Sequence, residues 1–319
     1  MRKLTQKLVL SVVTMALVVI ALGTSTFAWF TLTNTASVGQ FNAQVTAGEG
    51  IEISLGTWES NDATITGINA PTWYTVIPAS VIQARLTAMY STTLELTDLT
   101  SADGIVIENL EGTQINNLSG DYVEFKIFFR STSESTIRWN QASLTGTAKP
   151  WVVDTAYVGA NLNEFALAPT NAVGATVQVA AWTAARLSVF NLAGDTGAVY
   201  QAPAVIGSST ASVVYNSIAL PAVSYAEGFE FGAASYQLAK NDGVSVYTLP
   251  AVGYGAALTS VLSGDPLVGT PVVTLAKAVS TDTYAYGTVV VRVWIEGWDA
   301  DAFDSIFLTS LFVSLGFNV

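Results

Sequence analysis

Three stretches of the chain alternate between two kinds of side chain with a period of two. That alternation limits the fold more than any other feature. In DYVEFKIFFRS (121–131), Val123, Phe125, Ile127 and Phe129 fall on one side; Tyr122, Glu124, Lys126, Phe128 and Arg130 fall on the other. In VQVAAWTAARLSVFN (177–191), Ala185, Leu187 and Val189 alternate with Arg186 and Ser188. In TVVVRVWIE (288–296), Val289, Val291, Val293 and Ile295 alternate with Val290, Arg292, Trp294 and Glu296. Successive side chains of a strand point to opposite faces, so each stretch predicts a strand with one face in a core. The charged residues on the second face of 121–131 call for partners on neighbouring strands.

Shorter versions of the pattern fill the rest. Phe41, Ala43 and Val45 alternate with Asn42, Gln44 and Thr46, and Ile51, Ile53 and Leu55 follow the turn AGEG. One stretch, 80–99, is mixed: Val81, Ala84, Leu86 and Met89 ride a helical turn, while 92–96 alternate as a strand. Short strands with turn signals and no regular interleaving of helices predict an all-β protein, a jelly-roll-like antiparallel β-sandwich. The expected organisation is an apolar leader over 1–28, a strand-like lead over 29–48 and a sandwich over 49–319. The sandwich carries a Gly/Ala/Ser-rich excursion at about 198–278.

The leader begins with Arg2, Lys3 and Lys7 and continues into LVLSVVTMALVVIAL (8–22). A basic start, an apolar centre and small residues at Thr26 and Ala28 fit a secretory signal peptide cut between Ala28 and Trp29. As a helix, 8–22 reaches about 22 Å, short of the roughly 30 Å of bilayer hydrocarbon. Extended to Phe30 it is long enough, with Trp29 and Phe30 as interfacial anchors, so a retained membrane helix is the alternative. The expected location is secreted, extracellular or cell-surface. Signal peptidase is an expected partner, and membrane contact is expected only through 1–28 if these residues are kept.

Composition narrows the chemistry. The chain has 12 basic and 24 acidic residues and a net charge of −12; cutting away Arg2, Lys3 and Lys7 takes it to about −15. That sign opposes binding to nucleic acid or to an anionic lipid surface. With no Cys there is no disulfide framework, and with neither Cys nor His the usual catalytic triads, thiolate sites and imidazole zinc sites are ruled out. The expectation is a protein that is not an enzyme and holds no cofactor. Two carboxylates suffice for a glycosidase, and Glu124, Glu296 and Asp299 are the nominal candidates. Asp299, Asp301 and Asp304 cluster in EGWDADAFDS (296–305), where several oxygens at flexible spacing suit a calcium-like cation. The competing reading is an Asp that caps the helix-like AFDSIF. Eight Trp and twelve Tyr residues are scattered as core and surface rings, with a carbohydrate-stacking platform as the rival reading.

The entry GTSTFAWFT…ASVGQFNAQVTAG…IEISL resembles the start of the TasA/camelysin-like secreted fibre-forming proteins of Gram-positive bacteria. YVEFKIFFRS (122–131), AARLSVF (184–190) and VRVWIEGWDADAF (291–303) are similar to strands of related exported proteins. The resemblance implies a jelly-roll sandwich and release by a dedicated signal peptidase. It further implies assembly into extracellular fibres in which one subunit's N-terminal strand completes its neighbour's sheet. The metalloprotease activity described for camelysins needs a His-Glu-x-x-His motif, which a chain without His lacks.

Read from the residues, 29–45 suit such donation. Trp29, Phe30, Leu32, Val38, Phe41 and Val45 are apolar anchors in a run with neither charge nor Pro. A donated strand gains main-chain hydrogen bonds and alternate side-chain burial, and a head-to-tail contact of this kind propagates. The same strand pairing inside its own domain is the competing expectation. The functional expectation is a filament subunit, of a biofilm-matrix or surface fibre, whose partner is itself. The alternatives are a membrane-anchored adhesin or coat-lattice subunit and a secreted glycan-binding or glycan-cleaving module.

Overall fold

β17 (Ala285–Glu296), the longest described strand, organises the larger of two sheets. The computed structural model describes residues 35–37, 40–55, 72–90, 95–109, 112–116, 120–154, 157–158, 170–171, 173–202, 261–263, 269–297 and 309–319. One edge of β17 pairs antiparallel with β13 (Ala185–Asn191), the other with β7 (Val123–Ser131). Beyond β13 lie β14 (Gly197–Gln201) and then, parallel to it, β15 (Val261–Ser263). β3 (Glu52–Ser54) pairs with β7. β5 (Glu95–Thr100) runs parallel to the end of β17, with β6 (Glu108–Asn109) and β1 (Thr35–Ser37) beside it.

The second sheet has the order β16 (Pro271–Thr274), β8 (Thr136–Thr145), β18 (Ser310–Asn318), β2 (Gln40–Ala47) and β4 (Val76–Ile77). Alternation places Val123, Phe125, Ile127, Val289, Val291, Val293 and Ile295 of the first sheet in one core with Ala43, Val45, Leu311, Val313 and Leu315 of the second. Phe129 meets Phe317 edge to face at 5.1 Å, a contact across the two layers of about 1 kcal/mol beyond area burial. Gly287 of β17 faces Leu275 and Val273 at close range. A Cβ there would lie 2.7 Å from Leu275 Cδ2 and 3.0 Å from Val273 Cγ2, so only glycine fits without a shift.

The all-β expectation holds, with the sheets facing each other as in a sandwich. The pairing is mixed where an antiparallel sandwich was expected: β2–β18, β5–β17 and β14–β15 are parallel. Parallel neighbours need long connections, and β2 meets β18 from the far end of the sequence. The mixed stretch at 80–99 resolves into α1 (Ala79–Tyr90), which buries Ile82, Leu86 and Tyr90 at a spacing of four, followed by β5. Val81 and Met89 pack against the same core.

Main-chain bonds lace the two sheets together. Tyr74 exchanges both backbone hydrogen bonds with Ile53 (2.8 Å each) in the first sheet, and Ala47 N–H donates to Thr75 O (2.8 Å) in the second. Elsewhere, Ala276 exchanges both bonds with Tyr286 of β17 (3.0 and 2.9 Å).

A two-stranded ribbon stands apart from both sheets. β9 (Lys149–Val152) pairs with β12 (Thr176–Val179), and β10 (Tyr157–Val158) with β11 (Thr170–Asn171), all antiparallel. Thr176 faces Val152 and Asn171 faces Tyr157, so the two separate pairs keep the same register. Trp151, Val153 and Val179 root the β9–β12 pair in the core, and α2 (Ala181–Ala184) leads from it into β13, so the single strand expected over 177–191 is broken in two by a helical turn. Of the excursion expected at 198–278, β14, β15 and β16 are thus sheet strands; 203–260 and 264–268 lie outside the described residues.

Candidate functional site

The leader, the cleavage pair Ala28 and Trp29, and the anchors Trp29, Phe30, Leu32 and Val38 lie outside the described residues, as do Asp299, Asp301 and Asp304. Among the described residues no three metal-ligating side chains gather. Phe41 and Val45 lie in β2, opposite Leu311 and Leu315 of the chain's own β18, with Val45 wholly buried.

Glu124 and Glu296 share the face of the large sheet that points away from the main core. Glu124 is opposite Arg292 in register, and Glu296 lies four residues further along β17. At about 3.3 Å per residue their Cα atoms are separated by about 13 Å along the strand. Each is also engaged. Glu124 Oε2 accepts from Arg292 Nε at 2.6 Å, and Glu296, 1% exposed, accepts from Trp294 Nε1 at 3.1 Å. These are structural carboxylates that hold cations and donors against a sheet face.

That face has its own small core. Leu99, Ile107, Tyr122, Phe190, Val199 and Trp294 cluster on it, with Ile105 and Ile115 packed alongside. Ser101 and Asp103 shape the 101–106 turn: Asp103 Oδ1 accepts the N–H of Ile105 (2.7 Å) and Val106 (2.8 Å), while Ser101 Oγ accepts Gly104 N–H (2.9 Å). Gly104, at φ +75°, in turn accepts from Ser188 Oγ at 2.6 Å and lies close above Val199 and Phe190. Burial pushes the Tyr122 phenol well above its ordinary value near 10, and the adjacent Glu124 adds to the shift. Burial also holds the Lys126 ammonium below its usual range, with Glu124 partly offsetting it.

At the opposite end of the same face, Arg130 Nε donates to Glu52 at 2.7 Å. Its guanidinium lies 4.4 Å from the centre of the Trp73 ring and 4.5 Å from that of Tyr284. Trp73 and Tyr286 pack over buried Phe128. Both ring faces nearest the cation are thereby used, which makes this a self-satisfied stack that seals the sheet. Sequence reading placed Arg130 on the charged side of its strand and missed its aromatic partners. The alternation of Tyr284 and Tyr286 at the start of β17 was the available signal.

The ribbon is the feature least provided for by its own chain. Val152 and Val173 are 57% and 65% exposed. Neither long edge of the ribbon has a strand partner among the described residues. Lys149 and Pro150 guard the β9 edge. The returning arm, 170–179, carries no charged residue and no Pro. No family model, no curated protein and no solved structure matches the chain.

Proposed function

We propose that this protein is a structural subunit of an extracellular filament, secreted and trimmed to Trp29, which polymerises by strand addition. The resemblance to fibre-forming TasA/camelysin-type proteins, and the jelly-roll architecture that goes with it, belong to this reading. The observation that carries it is the ribbon's returning arm. A two-stranded ribbon is marginal by itself, and this one leaves an uncharged, Pro-free edge without a described partner. The occupant is the 29–34 segment of a second copy, likewise uncharged and Pro-free, laid along the arm as a third strand.

Pairing geometry names the groups involved. Val153 N–H donates to Ala175 O, so the main-chain groups of Ala175, Val177 and Val179 face β9. Those of Thr176 and Gln178 point to the open edge. Phe41 and Val45 stay in their own sheet, since only Gly48–Ile51 separate β2 from β3, which β7 holds. Thr35–Ser37 are likewise held as β1 in the large sheet, so donation is assigned to residues upstream of Thr35.

The test is sedimentation and electron microscopy of the chain starting at Trp29, beside a deletion of 29–34, which spares β1, and the substitution Gln178→Pro. Proline there removes an outward N–H and no internal bond. Both variants are expected to be folded monomers while the parent forms filaments. Filaments from both variants, or a monomeric parent, would overturn the reading.

A further inference from the structure

The fold demands a glycine at 104 and so sets an Asp–Gly pair into the 101–106 turn. Gly104 has φ +75° and lies against Val199, Phe190 and Ser188, where a Cβ does not fit. With no side chain on Gly104, nothing shields its nitrogen from the adjoining Asp103 carboxyl. Such a pair is able to close on itself. The Gly104 nitrogen attacks Asp103 Cγ, an N–Cγ bond forms, and one carboxyl oxygen leaves as water with the carboxyl and amide protons. Water then opens the resulting succinimide ring at the Asp103 main-chain carbonyl. The chain afterwards runs through the side-chain carbonyl as isoaspartate, one methylene longer and unchanged in mass.

In the folded chain both reacting groups are held by other partners. Gly104 N–H donates to Ser101 Oγ at 2.9 Å, while Asp103 Oδ1 accepts from Ile105 N–H at 2.7 Å and Val106 N–H at 2.8 Å. Ser101, 1% exposed, is the hub. Its hydroxyl donates to Val106 O at 2.6 Å and has Asp103 Oδ1 at 3.3 Å. Beyond it, Ser188 Oγ donates to Gly104 O at 2.6 Å. Turning the Asp103–Gly104 peptide so that its nitrogen meets Cγ breaks the buried Ser101 bond and pulls against the buried Ser188 bond.

We propose that Asp103–Gly104 is a site of isoaspartate modification, closed by Ser101 in the folded chain and exposed by local opening of the turn. Cyclisation then runs at the rate of the unheld pair multiplied by the fraction of time the turn is open. Refolding does not undo the product. The added methylene carries Gly104 off Val199 and Phe190 and takes the acceptor away from Ser188. A folded population thereby keeps a record of how often this turn has opened.

The test incubates the chain starting at Trp29, polymerised or not, both folded and in guanidinium chloride above its unfolding midpoint. Isoaspartate at 103 is followed by peptide mapping with electron-transfer fragmentation. Asp242–Gly243, the other Asp–Gly pair of the sequence, maps to a different peptide. Conversion at 103 in the folded parent is expected to be at least about tenfold slower than in denaturant. Ser101→Ala should speed folded-state conversion at least about fivefold and leave the rate in denaturant unchanged. Ser188→Ala, which spares Ser101, should speed it about twofold or more, and it carries the test if Ser101→Ala does not fold. A folded parent that converts as fast as the denatured chain would overturn the proposal. So would folded variants that convert no faster than the parent.

Discussion

Breaking the Glu124–Arg292 pair is the sharpest test of how the outer face of the large sheet is held. The two groups meet at 2.6 Å with side chains about 15% and 14% exposed, so water screens them little. Lys126 lies two residues along the same strand face, facing Val290. Substituting Glu124→Gln keeps the shape and leaves Arg292 and Lys126 as two cations with no carboxylate between them. Removing one partner of a buried pair costs roughly 3–5 kcal/mol. The residual exposure argues for the lower end, about 3 kcal/mol.

With an m-value of about 3 kcal/mol per molar urea, that cost becomes a fall of about 1 M in the unfolding midpoint. The midpoint is read by tryptophan fluorescence and far-ultraviolet circular dichroism together. The double variant Glu124→Leu/Arg292→Met removes both charges at similar volume and should return to within about 1 kcal/mol of the parent. A loss below about 0.5 kcal/mol in Glu124→Gln would refute the reasoning. So would a double variant no better than the single.

Further outcomes follow from the same face and the turn above it. The raised Tyr122 phenol stays protonated in the folded chain while the unfolded chain ionises near pH 10, so its contribution is full below pH 10 and lost as pH rises beyond it. Urea midpoints of Tyr122→Phe should lack that alkaline decline. Lys126 has the opposite sign: its ammonium is disfavoured on folding, so stability rises with pH between its lowered folded value and the ordinary 10.5. In Lys126→Met that rise should vanish, and the midpoint at pH 7 should hold or increase. Gly104→Ala, at φ +75° with its Cβ 2.3 Å from Val199 Cγ2, should cost about 3 kcal/mol in urea unfolding. Gly174→Ala, at φ +86° with open space, should cost only about 1 kcal/mol.

The strands were legible wherever one face had to be dry. Val123 to Phe129 and Val289 to Ile295 announce their inward sides by composition alone, and the structure buries those sides. The charged outer side was legible as a need for partners, but not as particular pairs. That Arg292 answers Glu124 and Glu52 answers Arg130 depends on registers between segments far apart in sequence. Parallel pairing was illegible for the same reason, since alternation is identical in parallel and antiparallel strands. The matching register of the β9–β12 and β10–β11 pairs arises from where strands start and stop, which periodicity does not encode. The donor anchors split. Phe41 and Val45 pair inside the chain, Val38 lies outside the described residues, and Trp29, Phe30 and Leu32 remain in the proposal alone.

The parallel contact of β2 with β18 also bears on when this protein is able to fold. Thr46 Oγ1 bonds Leu315 O across 269 positions of sequence, and β18 sits between β8 and β2 as the central strand of its sheet. A ribosome or export channel that has released everything up to residue 300 has therefore released a sheet with its middle missing. Closing so long a loop costs entropy that no local contact returns first, a topology that folds slowly. A chain that stays unfolded until its last strand arrives is also one that a translocation pore is able to thread.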